Sequence, residues 1–459
     1  MDKVIDFINV NRERYLDELK ALLAIPSISA LPEHAEDVKR CATWCADEMR
    51  RIGLNNVRLI DTPGYPVVYG EWLGAPGAPT LLFYGHYDVQ PVDPLELWES
   101  PPFEATIRDG EMYARGSADD KGQVFMHLKA VEAYLKQGGR LPVNIKFILE
   151  GEEEVGSAHL DDFVRAHKSE LKADVVVISD SEMFERGVPS ICYGLRGLVY
   201  CQIDLRGSKT DLHSGSFGGA VANPAFVLAQ MIAQMKDRGG RIRIPGFYDD
   251  VRPLEDAERE AWAKLPFNEK KYRKDFGIPK LFGESGYSTL ERTWARPTLE
   301  VNGLLSGFTG DGAKTVLPAV AMAKISMRLV PNQEPNKIAD LFEAFVRKIA
   351  PKTVDLTITR MHGGKPWMAS FDNPFVQAAE RAIERGFGRA PVFTREGGSI
   401  PVVSTFQEEL GLPSVLFGVG LPDENAHAPN EKLDVSNFHN GIIASAYLYG
   451  EMARISVPA

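Results

Sequence analysis

Nowhere in the 459 residues is there an apolar run of the roughly 18–20 residues that a membrane-crossing helix needs. The opening residues Met1-Asp2-Lys3-Val4 do not start a basic segment followed by an apolar core, so no secretory leader is read there. Cysteine is scarce. Four in a chain of this length do not make a disulfide framework, and Cys41 and Cys45, one helical turn apart, read as buried on a helix face rather than as a shared metal site. Positive charge is in deficit: 52 Lys and Arg stand against 63 Asp and Glu, a formal net charge of −11. That balance argues against nucleic acid and anionic membranes as partners, while leaving the charge of a substrate open, because a local site can oppose the global sign. Internal repeats and low-complexity tracts are also missing. What remains is 44% hydrophobic and 25% charged, the composition of a globular chain too long for one core. Two or three domains and a cytoplasmic location are expected.

Val4, Ile5, Ile8, Tyr15, Leu16, Leu19, Leu22 and Leu23 recur at helical spacing and predict one amphipathic helix over 3–24, stopped by Ile25-Pro26-Ser27. Val38 to Ile52 predicts a second helix, closed by Gly53. Apolar runs at 57–61, 67–72, 81–84, 143–149 and 175–179 read as strands, with a helix after Gly122. Strands alternating with helices imply an α/β sheet covered by helices. The style changes near residue 195. Leaving aside the polar stretch 252–296, read as helical turns and loops, the order becomes βαββαβ, that of a ferredoxin-like α+β unit. From 367 onward the first style returns. The chain is therefore read as an α/β domain (1–194 and 367–459) interrupted by an inserted domain (195–366), with hinges near 195 and 365.

The stretch Thr80–Pro91 organises the rest. A buried strand ends at Gly85, and His86 and Asp88 follow, where ligands of open α/β sheets sit. A carboxylate two residues from an imidazole suits a metal-bound histidine held by an orienting partner. Asp119, Glu153-Glu154 and Asp180 lie at or near later strand ends, and His427 sits in a loop after the apolar run 415–419. Singly, each has an ordinary explanation: a turn with a helix cap, a solvated acidic loop, another cap, an exposed histidine. Jointly they require several accidents at one sheet edge. Two imidazoles and several carboxylates without a thiolate suit Zn²⁺, with Mn²⁺ or Co²⁺ as alternatives.

These blocks bear a family resemblance. Gly85-His86-Tyr87-Asp88-Val89-Gln90-Pro91, Arg115-Gly116 through Gly122, Glu153-Glu154-Val155-Gly156-Ser157, Asp211-Leu212-His213-Ser214-Gly215, Thr394-Arg395-Glu396-Gly397-Gly398-Ser399-Ile400-Pro401 and His427 to Glu431 span almost the whole chain. The sequence resembles the di-zinc amide hydrolases that include cytosolic non-specific dipeptidase, carnosine dipeptidase, succinyl-diaminopimelate desuccinylase, acetylornithine deacetylase and glutamate carboxypeptidase. The resemblance implies a mixed-sheet α/β zinc-peptidase catalytic domain with an inserted α+β lid and dimerisation domain. It implies two ions bridged by Asp119, with His86 and Asp180 completing one site and Glu154 and His427 the other. Asp88 would orient His86, and Glu153 would be the general base for a water held between the ions. His213 would reach the active site of a partner subunit in a homodimer and stabilise the oxyanion. The Asp119–Asp120 peptide would be cis.

Asp rather than Glu at position 180 is similar to the dipeptidase branch, as are the blocks around 211–215, 312–318, 327–331 and 395–399. By the same analogy Thr315 and Ser399 contact substrate. Ala323, Ile325, Met327 and Leu329 share one strand face, so Arg328 points the other way, where an arginine makes a surface ion pair or holds a substrate carboxylate bidentately. The activity implied is metal-dependent hydrolysis of dipeptides. An N-acyl amino-acid deacylase, a desuccinylase or a carboxypeptidase, or a silent metal- or peptide-binding protein on the same fold, are the alternatives.

Overall fold

In the computed structural model, which describes residues 1–398 and 400–457, the apolar runs around His86 become the middle of a mixed sheet. Its order is Asn55–Ile60, Val67–Trp72, Asn144–Glu150, Thr80–His86, Val175–Ile178 and Ser414–Leu416, with Leu416 next to Cys192 of Ser190–Leu195. Asn144–Glu150, Thr80–His86, Val175–Ile178 and Ser414–Leu416 run parallel to one another, while the first two strands are antiparallel to their neighbours. Parallel strands are buried on both faces, which is why they read as continuous apolar runs. Phe83 and Phe147 are paired in register and stack with ring centroids 4.9 Å apart. Burying each such ring is worth roughly 1.5–3 kcal/mol.

The sheet belongs to the first of two units, Met1–Tyr193 with Ala369–Thr394 and Thr405–Ala459. Helix Ala35–Ile52 lays Val38, Cys41, Ala42, Cys45, Met49 and Ile52 into the core and ends at Gly53, whose φ of 108° suits a residue without a Cβ. All four cysteines, Cys41, Cys45, Cys192 and Cys201, are free and buried. The expected single helix over 3–24 is two, Asp2–Val10 and Arg12–Leu23. Asn11 makes the break: its side chain donates to the Phe7 carbonyl at 2.7 Å and accepts from Arg14 at 3.0 Å, competing with the backbone ladder. No helix among the described residues is long and apolar enough to cross a membrane.

Helix Lys121–Gly138 carries a buried cation, Lys129, among the carboxylates of Glu18, Glu48 and Glu132. Arg51 at 2.7 Å from Glu48 and Arg14 at 3.0 Å from Glu132 complete a balanced cluster of three charges of each sign. Burial raises the Glu48 and Glu132 carboxyls, but Arg51 and Lys129 outweigh it and hold both below the ordinary 4.5. A carboxyl lowered by folding stabilises above its unfolded value and loses that contribution as pH falls through its folded value. Lys129→Met is therefore expected to cost about 3–5 kcal/mol in denaturant unfolding at pH 7, because three carboxylates lose their central partner. The deficit should shrink below pH ~4 as they protonate. An equal deficit at both pH values would contradict this reading.

The second unit is Gly194–Met368 with Arg395–Ser404. Its sheet is antiparallel throughout, in the order Thr298–Ser306, Val320–Leu329, Gly197–Arg206, Asp355–Gly364. In chain order that is second, third, first, fourth, the ferredoxin-like arrangement. Val199, Cys201, Ile203 and Leu205 alternate inward and share one core with Leu228, Met231, Ile338, Phe342 and Val346 of helices Pro224–Met235 and Pro335–Ile349. The polar stretch after 252 forms three short helices, Asp256–Ala263, Glu269–Asp275 and Thr289–Trp294. Segment Arg395–Ser404, which the sequence pattern assigns to the returning α/β domain, groups with this unit.

Candidate active site

Parallel pairing decides where the polar side chains of the first unit emerge. His86 lies opposite Glu150, and Tyr84 opposite Ile178, so the chain leaves all these strands at one sheet edge. Asp88, Glu153, Glu154 and Asp180 follow from that edge. The loop after Ser414–Leu416 is turned back by Asn425, His427 and Asn430, at φ of 59°, 60° and 63°. Left-handed backbone costs a non-glycine residue about 1–3 kcal/mol and is uncommon, though Asn, Asp and His adopt it more readily than other side chains. At His427 it brings the imidazole to Asp119.

Two donor groups result, His86 with Asp119 and Asp180, and Asp119 with Glu154 and His427. Within each, one ligand atom per residue lies within 4.8 Å of the others. Asp119 belongs to both. Its Oδ1 is 3.1 Å from His86 Nε2 and its Oδ2 is 2.9 Å from His427 Nε2, while Glu154 Oε2 is 3.2 Å from the same His427 nitrogen. The Asp119–Asp120 peptide is cis. A third acidic group, Glu18, Glu48 and Glu132, is already filled by the Lys129 ammonium.

Asp88 does more than face His86. Its fully buried carboxylate has Oδ1 3.4 Å from His86 Nδ1, and it accepts from the backbone N–H of Glu153 at 3.3 Å and of Glu154 at 3.1 Å. The Asp88 backbone carbonyl lies 3.1 Å from the same His86 nitrogen, so one residue contacts an imidazole from one strand end and, through its side chain, the acidic turn from another. Ser29 donates to the same carboxylate at 2.6 Å, and Gln90 donates to Glu154 Oε2 at 2.7 Å. Neither was singled out in the sequence. Gln90 lies inside the Gly85–Pro91 block and could have been suspected, whereas Ser29 arrives from 59 residues away in sequence without a local signal.

Charge is unbalanced here. Burial drives the Glu153 carboxyl well above its ordinary value, with His86 opposing and Asp180, Glu154 and Asp119 adding to the rise. Asp180 is pushed up to about 7, by burial first and then by Asp119. Burial also opposes ionisation of Asp119, but hydrogen bonds from His427 and His86 outweigh it and hold that carboxyl well below its ordinary range. His427 is raised to about 10 by its contacts with Asp119 and Glu154. Fully ionised, the carboxylates of Asp119, Glu153, Glu154 and Asp180 would place four negative charges against two neutral imidazoles, and burial together with that crowding pushes Glu153 and Asp180 upward. Two divalent cations would remove that excess, and carboxylate oxygen with imidazole nitrogen is a donor set that Zn²⁺ accepts. The residues present therefore fit a two-ion centre.

The remaining candidates lie in the second unit. His213 is exposed, its Nδ1 accepting from Gly215 N at 3.0 Å, and it pairs with Val316 in a short ribbon of Leu212–His213 and Val316–Leu317. Thr315 is beside it, its carbonyl accepting from Ser214 N at 3.0 Å. Arg328 stands half-buried on the strand face opposite Ala323, Ile325, Met327 and Leu329, and burial lowers its guanidinium pKa. Ser399 lies outside the described residues.

Residues 82–449 match the model of peptidase family M20/M25/M40. The chain is 36% identical over 462 residues to a Cys-Gly metallodipeptidase of Candida albicans, covering 96% of this chain and 95% of that one. Human carnosine dipeptidase 1 superposes with a TM-score of 0.86 at 32% identity, over 99% of each chain. A metallo-carboxypeptidase of Sulfolobus solfataricus superposes with a TM-score of 0.87 at 34% identity, over 96% of this chain and 99% of that one.

Proposed function

This chain belongs to peptidase family M20/M25/M40, and from that membership we infer that it hydrolyses the peptide bond of dipeptides with two metal ions sharing Asp119. The observation that carries the reading is the double use of that carboxylate, 3.1 Å from His86 and 2.9 Å from His427. His86 and Asp180 would hold one ion, and Glu154 and His427 the other. Zn²⁺ is the ion proposed, with Mn²⁺ or Co²⁺ as substitutes. Such ions supply electrophilic activation of water and of the scissile carbonyl.

The chain's own residues supply the rest. Asp88 keeps the His86 ring turned toward its ligand position and fixes the turn that carries Glu153. Glu153 has the role of general base: its carboxylate takes the proton of the attacking water and returns it to the leaving amine. His213, acting from a partner subunit, donates to the developing oxyanion. Arg328 holds the substrate carboxylate in a bidentate pair, with Thr315 and Ser399 as further substrate contacts.

The inserted unit serves as lid and dimerisation domain of a homodimer. Support for the latter comes from its outer strand Thr298–Ser306, whose far edge pairs with no other strand among the described residues. Leu304 and Leu305 on that strand are 61% and 56% exposed, and an open apolar edge invites pairing with a second copy. A monomer with full activity in sedimentation and turnover assays would overturn the dimer. Free thiols and a net charge of −11 support a cytoplasmic enzyme without nucleic-acid or membrane partners.

The reading is tested by amino-acid release from a panel of dipeptides, N-acyl amino acids and longer peptides, using protein stripped of metal and reloaded with zinc or manganese. Metal-restored cleavage of dipeptides is expected. Restored cleavage only of N-acyl substrates would move the chain to a deacylase or desuccinylase. Cleavage only of longer peptides from the C-terminus would favour the carboxypeptidase alternative, to which the similarity with the Sulfolobus structure also points. No restoration on any substrate would leave a silent binding protein.

A further inference from the structure

Four residues beyond His427, Glu431 has a wholly buried side chain that is no member of either donor group. Its carboxylate is saturated by one short segment. Oε2 accepts from Arg115 Nη1 at 2.8 Å and from Gly116 N at 2.9 Å. Oε1 accepts from Ala118 N at 3.0 Å and from Asp119 N at 3.1 Å. Its own carbonyl accepts from Ala114 N at 3.1 Å. Arg115 is likewise buried, and its other terminal nitrogen donates to the Pro91 carbonyl at 3.0 Å, in the Gly85–Pro91 block that contains His86.

The turn so gathered has little room of its own. A Cβ on Gly116 would meet Val89 at 2.7 Å, and one on Gly122 would meet the Ser117 carbonyl at 2.0 Å. The Ser117 N–H is met by the Ala114 carbonyl at 3.2 Å, and the backbone donors of Gly116, Ala118 and Asp119 are all served by one carboxylate from a distant loop. That loop also carries His427. The same side chain therefore ties the main chain of Asp119 to the loop that supplies a second donor.

We propose that Glu431 is a positioning residue of the two-ion centre: by clamping the backbone of Gly116, Ala118 and Asp119 to the His427 loop, it holds both Asp119 oxygens where two ions must share them. This rests on the reading that Asp119 bridges the ions. Since one oxygen serves each donor group, loosening the clamp weakens both sites together. A residue that only packed the loop would leave metal affinity alone once the protein had folded.

The test is zinc affinity of the folded apo-protein, measured by competition with a chromogenic chelator, for wild type, Glu431→Gln and Glu431→Asp. Glutamine keeps the shape but turns an amide donor toward backbone N–H groups, and aspartate keeps the charge but is one methylene too short to satisfy both pairs. Both zinc affinities are expected to fall about 10- to 100-fold in Glu431→Gln, the usual effect of losing a partner of the ligand shell, with circular dichroism unchanged. Glu431→Asp should fall between it and wild type. If Glu431→Gln does not fold, Glu431→Asp carries the test. Wild-type zinc affinity in a folded variant, even one with a lowered melting temperature, would overturn the proposal. A wild-type protein that fails to bind two ions would instead overturn the reading on which it rests.

Discussion

Glu153→Ala is expected to bind as much metal as the wild type and to hydrolyse dipeptides about 10²–10⁴-fold more slowly, the range for loss of a positioned general base. Glu153 lies in neither donor group, although its neighbour Glu154 does. Its backbone N–H, donating to Asp88 at 3.3 Å, survives truncation of the side chain, so the turn that presents Glu154 stays in place. What disappears is a carboxylate that faces His86, Asp180, Glu154 and Asp119 without joining either group. Metal content by elemental analysis and kcat on one dipeptide decide the matter. Wild-type turnover would remove Glu153 from the mechanism, and loss of metal would make it a ligand instead.

Asp119→Ala should be more severe, because it strikes two sites with one substitution. His86 and Asp180 remain for one ion and Glu154 and His427 for the other, two donors each, where three of four positions are ordinarily filled by protein in catalytic zinc sites. Both ions are expected to be lost on dialysis and turnover to vanish, with no recovery in added zinc. Substituting Asp180 instead should empty mainly the His86 side. Retention of one full equivalent in Asp119→Ala would mean that its carboxylate serves a single ion. The fold itself should survive, since the backbone N–H of Asp119 still reaches Glu431.

Much of this centre could be read before any coordinate was known, and the reason is geometric. Strands buried on both faces announce themselves as apolar runs, and in a parallel sheet their carboxyl ends must share an edge. His86, Glu153, Glu154 and Asp180 inherit their meeting place from that rule. His427 was harder. It follows a strand by a loop, and its approach to Asp119 depends on three left-handed residues that no periodicity signals. The family blocks singled it out. Contacts made across the chain left no local trace at all. Ser29 reaches Asp88 over 59 residues and Glu431 reaches Asp119 over 312, and in each case the residue type alone suggests an ordinary polar loop. The break at Asn11 escaped for the opposite reason: the apolar spacing runs through it, and only the side chain's competition for the Phe7 carbonyl interrupts the helix. The placement of Arg395–Ser404 with the second unit follows from contacts such as Arg395 with Glu258 and Arg196 Nε with the Gly397 carbonyl at 3.1 Å, neither of which is visible in composition.

The central claim is that two ions sharing Asp119 make the active centre. It is tested most directly by titrating zinc into the stripped protein while following bound metal and dipeptide hydrolysis together. The account predicts saturation at two equivalents per chain, with activity complete only when both are bound. Full activity after chelation, or saturation of binding and activity at a single equivalent, would contradict it.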